Sequence, residues 1–515
     1  MADSHSSLPQ GGGFSVRSNI AANILANVLI AAIFFASVPL IIRYLGVEGY
    51  GLVALFLIAQ GLASVIDLGL GTVLTREFAV LTSDKNDNVG ASRDLLRTSE
   101  VFYWSAAIAV CAGWTIFAGP LSGFVNPNGL DGETLYNCFL LMGGAIALQL
   151  PFGLYSGALY GLHRQALVSG IGVIFSFLRN LGGVAVLHFL SPAPEAFFIW
   201  QLVCFAFHVP ILGLLVRSAL PKAVQPPSFR HELLTTKWRF VTGVGLITLT
   251  TMGLMYIDRF VLARVISLES FGYYAIAGVV ANGLHWLTQP IFRGLLPRLS
   301  QLTKEEDRPA LSLLYHQGTQ LLAIVVFPAG ALWALFAYEL LLIWQQDAQI
   351  AANSSTYVTL LIAAGALNAV SFMPYALQLA FGWTRLQLTA VVSALAVSVP
   401  LTVFAALYWG GIGAAAVGLA LNVAIVTFVV PQMHRRLLTG ESFNWFTRDI
   451  LIPLGAVVIV GSLGRLALAE TSMALTVVQL AILWACMTGA AILSSSLARA
   501  WLRNRFTSHA RSNDQ

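Results

Sequence analysis

Four ionisable side chains fall inside long apolar runs of this chain. Arg179 lies near the middle of one run, and the adjacent Asp258 and Arg259 lie towards the end of another. Asp67 lies in a third run and is followed by glycines in Asp-Leu-Gly-Leu-Gly. A charged side chain deep in a bilayer costs about 2.5–3.5 kcal/mol on insertion scales. Each of these residues is therefore a candidate for function.

The arginines suit an anionic cargo. A guanidinium group stays charged in any environment and binds phosphate oxygens in bidentate fashion. Arg179 has no acidic residue near it in the sequence. Three further arginines are expected at the inner ends of apolar runs: Arg76, Arg293 and Arg298. If these groups face a cavity, they favour a diphosphate over an organic cation.

Asp258, Asp67 and His285 are the candidates for binding a coupling ion, either H⁺ or Na⁺. Asp258 is expected to orient Arg259 or to bind the coupling cation. Structural roles remain open as alternatives. Asp258 and Arg259 would neutralise each other, Asp67 would bond to a neighbouring helix, and His285 would be packed and neutral. Arginines at the inner ends of helices would act as membrane anchors.

The elements that position these residues are membrane-spanning helices. The chain has 515 residues, is 57% hydrophobic and 10% charged, and has a mean hydropathy of +0.78, whereas a soluble chain carries about 25% charged residues. A membrane-spanning helix needs roughly 20 apolar residues, and the apolar runs of this chain reach that length. The strands of a membrane barrel would instead be about ten residues long, with alternating polarity. Fourteen spans are predicted, near residues 18–42, 50–72, 101–122, 137–162, 166–190, 195–216, 240–263, 271–292, 313–337, 355–380, 386–409, 411–433, 449–469 and 472–495.

Charge alternation supports this count. The amino terminus, every second loop and the carboxyl terminus carry 23 of the 28 lysine and arginine residues. The opposite side carries three, namely Arg43, Arg264 and Arg465. This bias predicts an even number of spans in a multi-pass membrane protein, with both termini in the cytoplasm. Twelve spans remain the alternative if the last pair is misjudged.

An internal repeat divides the chain. Arg43-Tyr-Leu-Gly-Val-Glu48-Gly-Tyr50-Gly51 matches Arg264-Val-Ile-Ser-Leu-Glu269-Ser-Phe271-Gly272 at an offset of 221 residues, and Tyr160-Gly161 matches Phe381-Gly382 at the same offset. The copies disagree at the buried charges. The predicted fold is an all-α polytopic membrane protein with two pseudo-symmetric six-helix bundles around a central cavity, plus an appended helix pair. The predicted domains are a disordered N-terminus (1–17), a first lobe (18–218), a linker (219–238), a second lobe (239–433), a helix pair (449–495) and a basic tail (496–515).

Several functional classes are disfavoured. The longest outward loops have about 15 residues, too short for the catalytic loops of membrane glycosyltransferases or polymerases, and no lysine lies in a P-loop motif. The four cysteines have no metal-ligand or disulfide spacing. The basic residues are spread between apolar runs, which argues against nucleic acid as a partner. We expect neither a resident metal nor a cofactor.

The motifs resemble those of bacterial polysaccharide transporters of the Wzx type, in the superfamily of multidrug extruders and oligosaccharidyl-lipid flippases. The resemblance rests on Arg43-Tyr-Leu-Gly-x-Glu48-x-Tyr50-Gly51, Asp67-Leu-Gly-Leu-Gly71 with Arg76, Tyr256-Ile-Asp258-Arg259 with Gly272-Tyr-Tyr-Ala275, and Pro297 near Leu299-Ser300. It covers both halves.

The resemblance implies a two-lobed bundle with a cationic cavity that works by alternating access. The cargo would be an oligosaccharide repeat unit on a polyprenyl diphosphate, moved to the outer leaflet for O-antigen or exopolysaccharide synthesis. Membrane lipids and the polymerase of the same pathway would be its partners. A lipid II flippase and an ion-coupled multidrug antiporter of the same superfamily remain alternatives, and a membrane glycosyltransferase or polymerase is a third.

Overall fold

The computed structural model describes residues 16–66, 70–83, 89–220, 226–230, 238–383, 385–467 and 472–495. The regular secondary structure of these residues is helical, and short turns and irregular segments join the helices; one isolated parallel bridge links Asn126 and Ser267. The helices of the first half are α1 (Val16–Ile66), α2 (Leu70–Ser83), α3 (Val89–Ser122), α4 (Gly132–Gln149), α5 (Pro151–Gly161), α6 (Gln165–Phe189) and α7 (Pro194–Ala219).

The second half begins with α8 (Trp238–Val265), α9 (Leu268–Lys304), α10 (Arg308–Leu335), α11 (Ala337–Gln345), α12 (Ala348–Val370), α13 (Phe372–Ala380) and α14 (Arg385–Ala424). A π-helical segment, Ile425–Val429, leads into α15 (Val430–Leu437). The short turn α16 (Ser442–Asn444) and a second π-helical segment, Trp445–Leu451, lead into α17 (Ile452–Ala467), and α18 (Met473–Ser494) follows.

Two of the long helices each contain a pair of spans joined at one glycine. Gly46 in α1 has φ 70° and ψ 176°, and Gly410 in α14 has φ 57° and ψ −140°. Side chains beyond Cα disfavour a positive φ, whereas glycine adopts it readily. α1 therefore holds the first two predicted spans, and α14 holds the eleventh and twelfth.

Two other spans are each broken into two helices. α4 and α5 meet at Leu150, where Pro151 lacks the N–H that would continue the helical ladder. α12 and α13 meet at Ser371. Leu150 and Ser371 are separated by the offset of the sequence repeat. The breaks therefore recur at equivalent places in the two copies.

The span count agrees with the prediction. Ten stretches of the described residues are long and apolar enough to cross a membrane, and two of these are the double spans of α1 and α14. α8 and α9 bring the total to fourteen. α9 is less apolar because it carries Asn282, His285 and Gln289. The predicted all-α polytopic fold is confirmed.

Contacts divide the described chain into two compact units. The first runs to Leu249 without Phe124–Gly129, and the second contains Phe124–Gly129 and the residues from Thr250 onwards, including the last two helices. The predicted N-terminus up to residue 15, the basic tail 496–515 and Asp67 lie outside the described residues.

In the first unit, α5 packs closely against α2. A Cβ added at Gly157 would lie 2.6 Å from the Gly71 carbonyl oxygen, and one at Gly161 would lie 2.5 Å from the Thr75 oxygen. The Thr75 hydroxyl also donates to the Gly157 carbonyl at 3.0 Å. Part of the predicted linker lies along α3, where the backbone N–H of Ser228 donates to Asp94 at 2.7 Å. Arg230 forms an ion pair with the same carboxylate at 2.9 Å.

Candidate functional site

Asp258 bonds across to the neighbouring helix. Its Oδ2 accepts a hydrogen bond of 2.5 Å from the Tyr274 hydroxyl on α9. Its Oδ1 is enclosed and has no hydrogen-bond partner among the described residues. An enclosed carboxylate oxygen without a donor is costly. The Oδ1 atom of Asp258 is therefore an enclosed acceptor whose hydrogen-bonding capacity is not used by any described residue.

Arg259 points in a different direction from Asp258. Consecutive residues on a helix are about 100° apart, so the two side chains leave α8 on different faces. Arg259 Cζ lies 5.3 Å from the ring centroid of Tyr256. Its Nη2 atom lies against Gly278, where an added Cβ would come within 3.0 Å of it. Among the described residues Arg259 forms no ion pair with Asp258 or any other carboxylate.

α9 carries a line of polar side chains. Helical spacing places Asn282, His285, Gln289 and Arg293 on one face over about 16 Å. We call these four residues the α9 stripe. The Gln289 amide donates to His285 Nε2 at 3.1 Å. His285 and Arg293 are exposed.

Contact of the α9 stripe with lipid hydrocarbon would be energetically unfavourable. Ionisable residues in membrane spans almost always face the bundle interior or water. We therefore expect the stripe to face water or other polar groups and not lipid. Arg298, further along α9, is exposed and lies 3.9 Å from the Glu305 carboxylate. Arg298 is thus partly neutralised, whereas Arg293 forms no ion pair with a described carboxylate.

In the first unit, Arg179 lies between α6 and α7. Its Cζ is 4.8 Å from the ring centroid of Phe205, a cation–π contact worth about 0.5–2 kcal/mol. The Gln201 amide donates to the Arg179 carbonyl at 3.1 Å and ties the two helices together. The Arg179 Nε is enclosed, and no described residue bonds to it. Within the described part of the chain, Arg179 therefore contacts an aromatic face and no carboxylate.

A histidine on α7 of the same unit is also packed. His208 is 4% exposed, and its ring stacks on Phe175 with a centroid distance of 4.1 Å. Neither ring nitrogen has a hydrogen-bond partner among the described residues. Arg76 lies on α2 with an exposed side chain. Of the eight predicted site residues, the second unit holds Asp258, Arg259 and the α9 residues His285, Arg293 and Arg298, and the first unit holds Arg179 and Arg76.

One polar cluster was not identified from the sequence. His316 on α10 contacts Asp449 and Glu441, which lie 133 and 125 residues further along the chain. Asp449 is 1% exposed. The only sequence signal is an acidic residue at the start of an otherwise apolar run.

Comparison with known proteins agrees with this architecture. Residues 196–346 match the model of a family described as Polysaccharide biosynthesis protein. A Shigella flexneri protein named as an O-antigen transporter is 21% identical over 427 residues, which are 82% of this chain and 98% of that protein.

Solved structures show the same fold. Lipid II flippase MurJ in an inward closed conformation matches with a TM-score of 0.65 at 12% identity, over 91% of this chain and 97% of that chain. The MATE multidrug transporter DinF-BH, solved as a complex, matches with a TM-score of 0.59 at 13% identity, over 84% and 98% of the two chains. These relatives are transporters and not enzymes. The chain therefore resembles a polysaccharide biosynthesis family over residues 196–346, and it shares the fold of MurJ and of a MATE transporter.

Proposed function

We propose that this protein flips oligosaccharide repeat units, carried on a polyprenyl diphosphate, from the cytoplasmic to the outer leaflet of the bacterial inner membrane. The cargo would feed the synthesis of O-antigen or exopolysaccharide. The observation that carries the proposal is the set of arginines without carboxylate partners among the described residues, Arg179 and Arg259 within the spans and Arg293 on the α9 stripe. The distant likeness to an O-antigen transporter supports the same cargo class.

The physical argument concerns the diphosphate. A diphosphate cannot cross hydrocarbon unless cations replace its hydration, and guanidinium groups do so with paired N–H donors. Arg259 is held against backbone at Gly278, so its remaining donors stay available for a ligand. The α9 stripe continues from there with Asn282, His285 and Gln289, whose side chains suit sugar hydroxyls. The stripe ends in Arg293, a second cation towards the basic side of the membrane.

Coupling to an ion fits the acidic and histidine residues. Asp258 has one carboxylate oxygen bonded to Tyr274 and one without a described partner. Binding of H⁺ or Na⁺ at this oxygen would remove an uncompensated charge from the membrane interior. The free energy released would then favour one state of an alternating-access cycle. Membrane lipids and the polymerase of the same pathway are the remaining partners we propose.

The test is depletion of the protein in its native host, followed by a protease-free glycosidase or lectin assay on intact spheroplasts. We expect lipid-linked oligosaccharide to accumulate on the cytoplasmic leaflet while surface polysaccharide is lost. Restoration by plasmid-borne wild-type chain is the control. Accumulation of peptidoglycan precursor instead would favour the lipid II alternative, and sensitivity to organic cations alone would favour a drug antiporter.

Orientation has its own experiment. The excess of Lys and Arg on one side leads us to propose that both termini face the cytoplasm. A reporter that is active only outside the inner membrane, inserted at Asn126, should be active, and the same reporter at Ser442 should be silent. Equal activity at the two positions would contradict the proposed topology.

A further inference from the structure

A buried charged cluster lies where α10 meets the segment leading to the last two helices. His316 Nδ1 contacts Asp449 Oδ2, and His316 Nε2 lies 3.2 Å from Glu441 Oε2. The Gln320 amide donates to the other Asp449 oxygen at 2.7 Å. Asp449 belongs to the π-helical segment Trp445–Leu451, and its side chain is buried. Glu441 keeps 30% of its side chain exposed.

This geometry requires the charged form of His316. A neutral imidazole has one N–H donor, whereas an imidazolium has two. Both ring nitrogens of His316 face carboxylate oxygens, so both must donate. If His316 lost a proton, one ring lone pair would face a carboxylate lone pair. The cluster therefore holds one proton that can be exchanged.

Few other ionisable groups face His316. On its own helix the Tyr315 hydroxyl is 3.0 Å from Nε2 of His434 on α15, and the Nδ1 of His434 is enclosed without a described partner. The neighbouring helices α12, α13 and α18 contain no acidic, basic or histidine residue. α9 also packs against α10 and carries Arg293, Arg298 and Lys304, but the charged groups that act on His316 are Asp449 and Glu441. Arg465 of α17 instead pairs with Glu339. Asp449, Glu441 and His434 thus set the charge balance at His316.

The same contacts join two parts of the second unit. Glu441 accepts hydrogen bonds from Ser312 on α10 at 3.2 Å and from Asn444 at 3.0 Å. The fully buried Trp445 donates to Thr319 on α10 at 3.3 Å. Hydrogen bonding from Asn444, and then the facing His316, hold the pKa of the Glu441 carboxyl below its ordinary value. The cluster thus fastens the entry to α17 onto α10.

We propose that His316, Asp449 and Glu441 form a proton-binding site whose occupancy controls how firmly the last two helices dock on α10. The site deepens the proposed function by adding a place for the coupling proton. When it empties, the imidazolium gives its Nε2 proton to Glu441, which releases it to water through its exposed side. Neutral His316 keeps its N–H to Asp449, while the contact with Glu441 becomes repulsive.

A proton suits this site better than a metal cation. The imidazolium already carries positive charge between the two carboxylates, where a metal cation would otherwise sit. The three side chains are also not arranged as metal ligands. Docking is complete while His316 is charged and weakens as the pH rises.

The proposal can be tested by hydrogen exchange of the purified full-length protein in the absence of any cargo. A negative result would therefore overturn the proton-site proposal without bearing on the flippase proposal. Exchange at 442–467 would be measured between about pH 5 and about pH 9, corrected for the intrinsic rate, in Na⁺ and in choline buffers. We expect protection to fall with rising pH, at the same midpoint in both buffers. His316→Asn should abolish the titration, whereas His163→Asn, in the first unit, should titrate like wild type.

A second variant keeps the test decisive if His316→Asn does not fold. Glu441→Gln keeps one of the two acceptor oxygens, replaces the other by an NH2 group, and removes the charge that stabilises the imidazolium. Its midpoint should fall by about one pH unit. Protection that does not change with pH in wild type, an unchanged midpoint in Glu441→Gln, or a titration that requires Na⁺ would each overturn the proposal.

Discussion

In the first unit the Arg179 guanidinium lies over the Phe205 ring, whereas in the second unit Arg259 lies against the backbone at Gly278. The first arrangement packs a cation between two helices. The second holds it at the head of a polar face that continues to Arg293. The helix breaks at Leu150 and Ser371 occupy equivalent places, yet the charges do not. The two halves therefore share the positions of these helix breaks but not the positions of their buried charges.

The largest effect should come from removing either buried cation. Arg179→Ala and Arg259→Ala each delete contacts to a charged ligand worth about 1.5–3 kcal/mol, so flipping rates should fall about 10- to 100-fold. Lys at either position should restore part of the rate, because the charge returns without the bidentate fork. The measurement is appearance of lipid-linked oligosaccharide at the outer leaflet, normalised to membrane abundance.

Arg298→Ala is the matched control for the two alanine variants. The Arg298 side chain is exposed and lies close to Glu305, so its removal should change the flipping rate by less than about twofold. Full activity in both Arg179→Ala and Arg259→Ala would remove the cationic basis of the mechanism. A defect in only one would show which unit carries the diphosphate.

Asp258→Asn should slow turnover more than it weakens binding of the cargo. Asparagine keeps an acceptor for the Tyr274 hydroxyl but cannot bind a proton or a cation as a carboxylate does. We expect turnover to fall about tenfold, equivalent to about 1.4 kcal/mol, with cargo binding nearly unchanged. Tyr274→Phe is the complementary variant, because it removes the hydrogen bond between Tyr274 and Asp258 but leaves the carboxylate charge in place. An equal defect in both variants would contradict a coupling role for the charge.

Gly278→Ala should move Arg259 without removing it. The new methyl group would lie 3.0 Å from the guanidinium Nη2, which must shift by a few tenths of an ångström. A fall in flipping rate of about three- to tenfold is expected from such a misplacement. Gly283→Ala on the same helix meets open space. Both variants should gain about 0.5–1 kcal/mol of helix stability, so a rate loss confined to Gly278→Ala would be a positioning effect. Equal rates in the two would show that the position of Arg259 is unimportant.

The smallest effect on transport should come from the scaffold of the first unit. Gly157→Ala would place a methyl group 2.6 Å from the Gly71 carbonyl, and overpacking of this kind costs about 1–3 kcal/mol. The thermal unfolding temperature of purified protein should fall. Gly170→Ala meets nothing within 4 Å and should leave it unchanged or raise it. The rate per folded molecule should stay near wild type in both. No thermal difference between them would mean that α2 and α5 pack less tightly than described.

Much of this architecture could be predicted from residue types alone. Charge alternation fixed fourteen spans, because lysine and arginine are costly to move across a membrane. Arg179 and Arg259 stood out because each interrupts an apolar run. The partners of these residues could not be predicted in the same way. Tyr274, and not Arg259, bonds to Asp258, because the direction of each side chain depends on how α8 packs against α9.

The cluster around His316 shows the same limit more strongly. Its members are separated by more than a hundred residues, and Asp449 is carried on a π-helical segment that leaves no mark on hydropathy. Three residues brought together only by tertiary packing give no spacing pattern in the chain.

The single-glycine junctions at Gly46 and Gly410 have a consequence for biogenesis. Each joins two spans with no intervening loop, so the ribosome delivers a hairpin whose tip contains only a few polar residues to translocate, Arg43 and Glu48 beside Gly46 among them. The two arms of such a hairpin should enter the bilayer together and not one after the other. Inserting polar residues at Gly46 or Gly410 would oblige the insertion machinery to move those residues across the membrane. Insertion of the two spans should then slow at insert lengths that do not yet destabilise the folded protein.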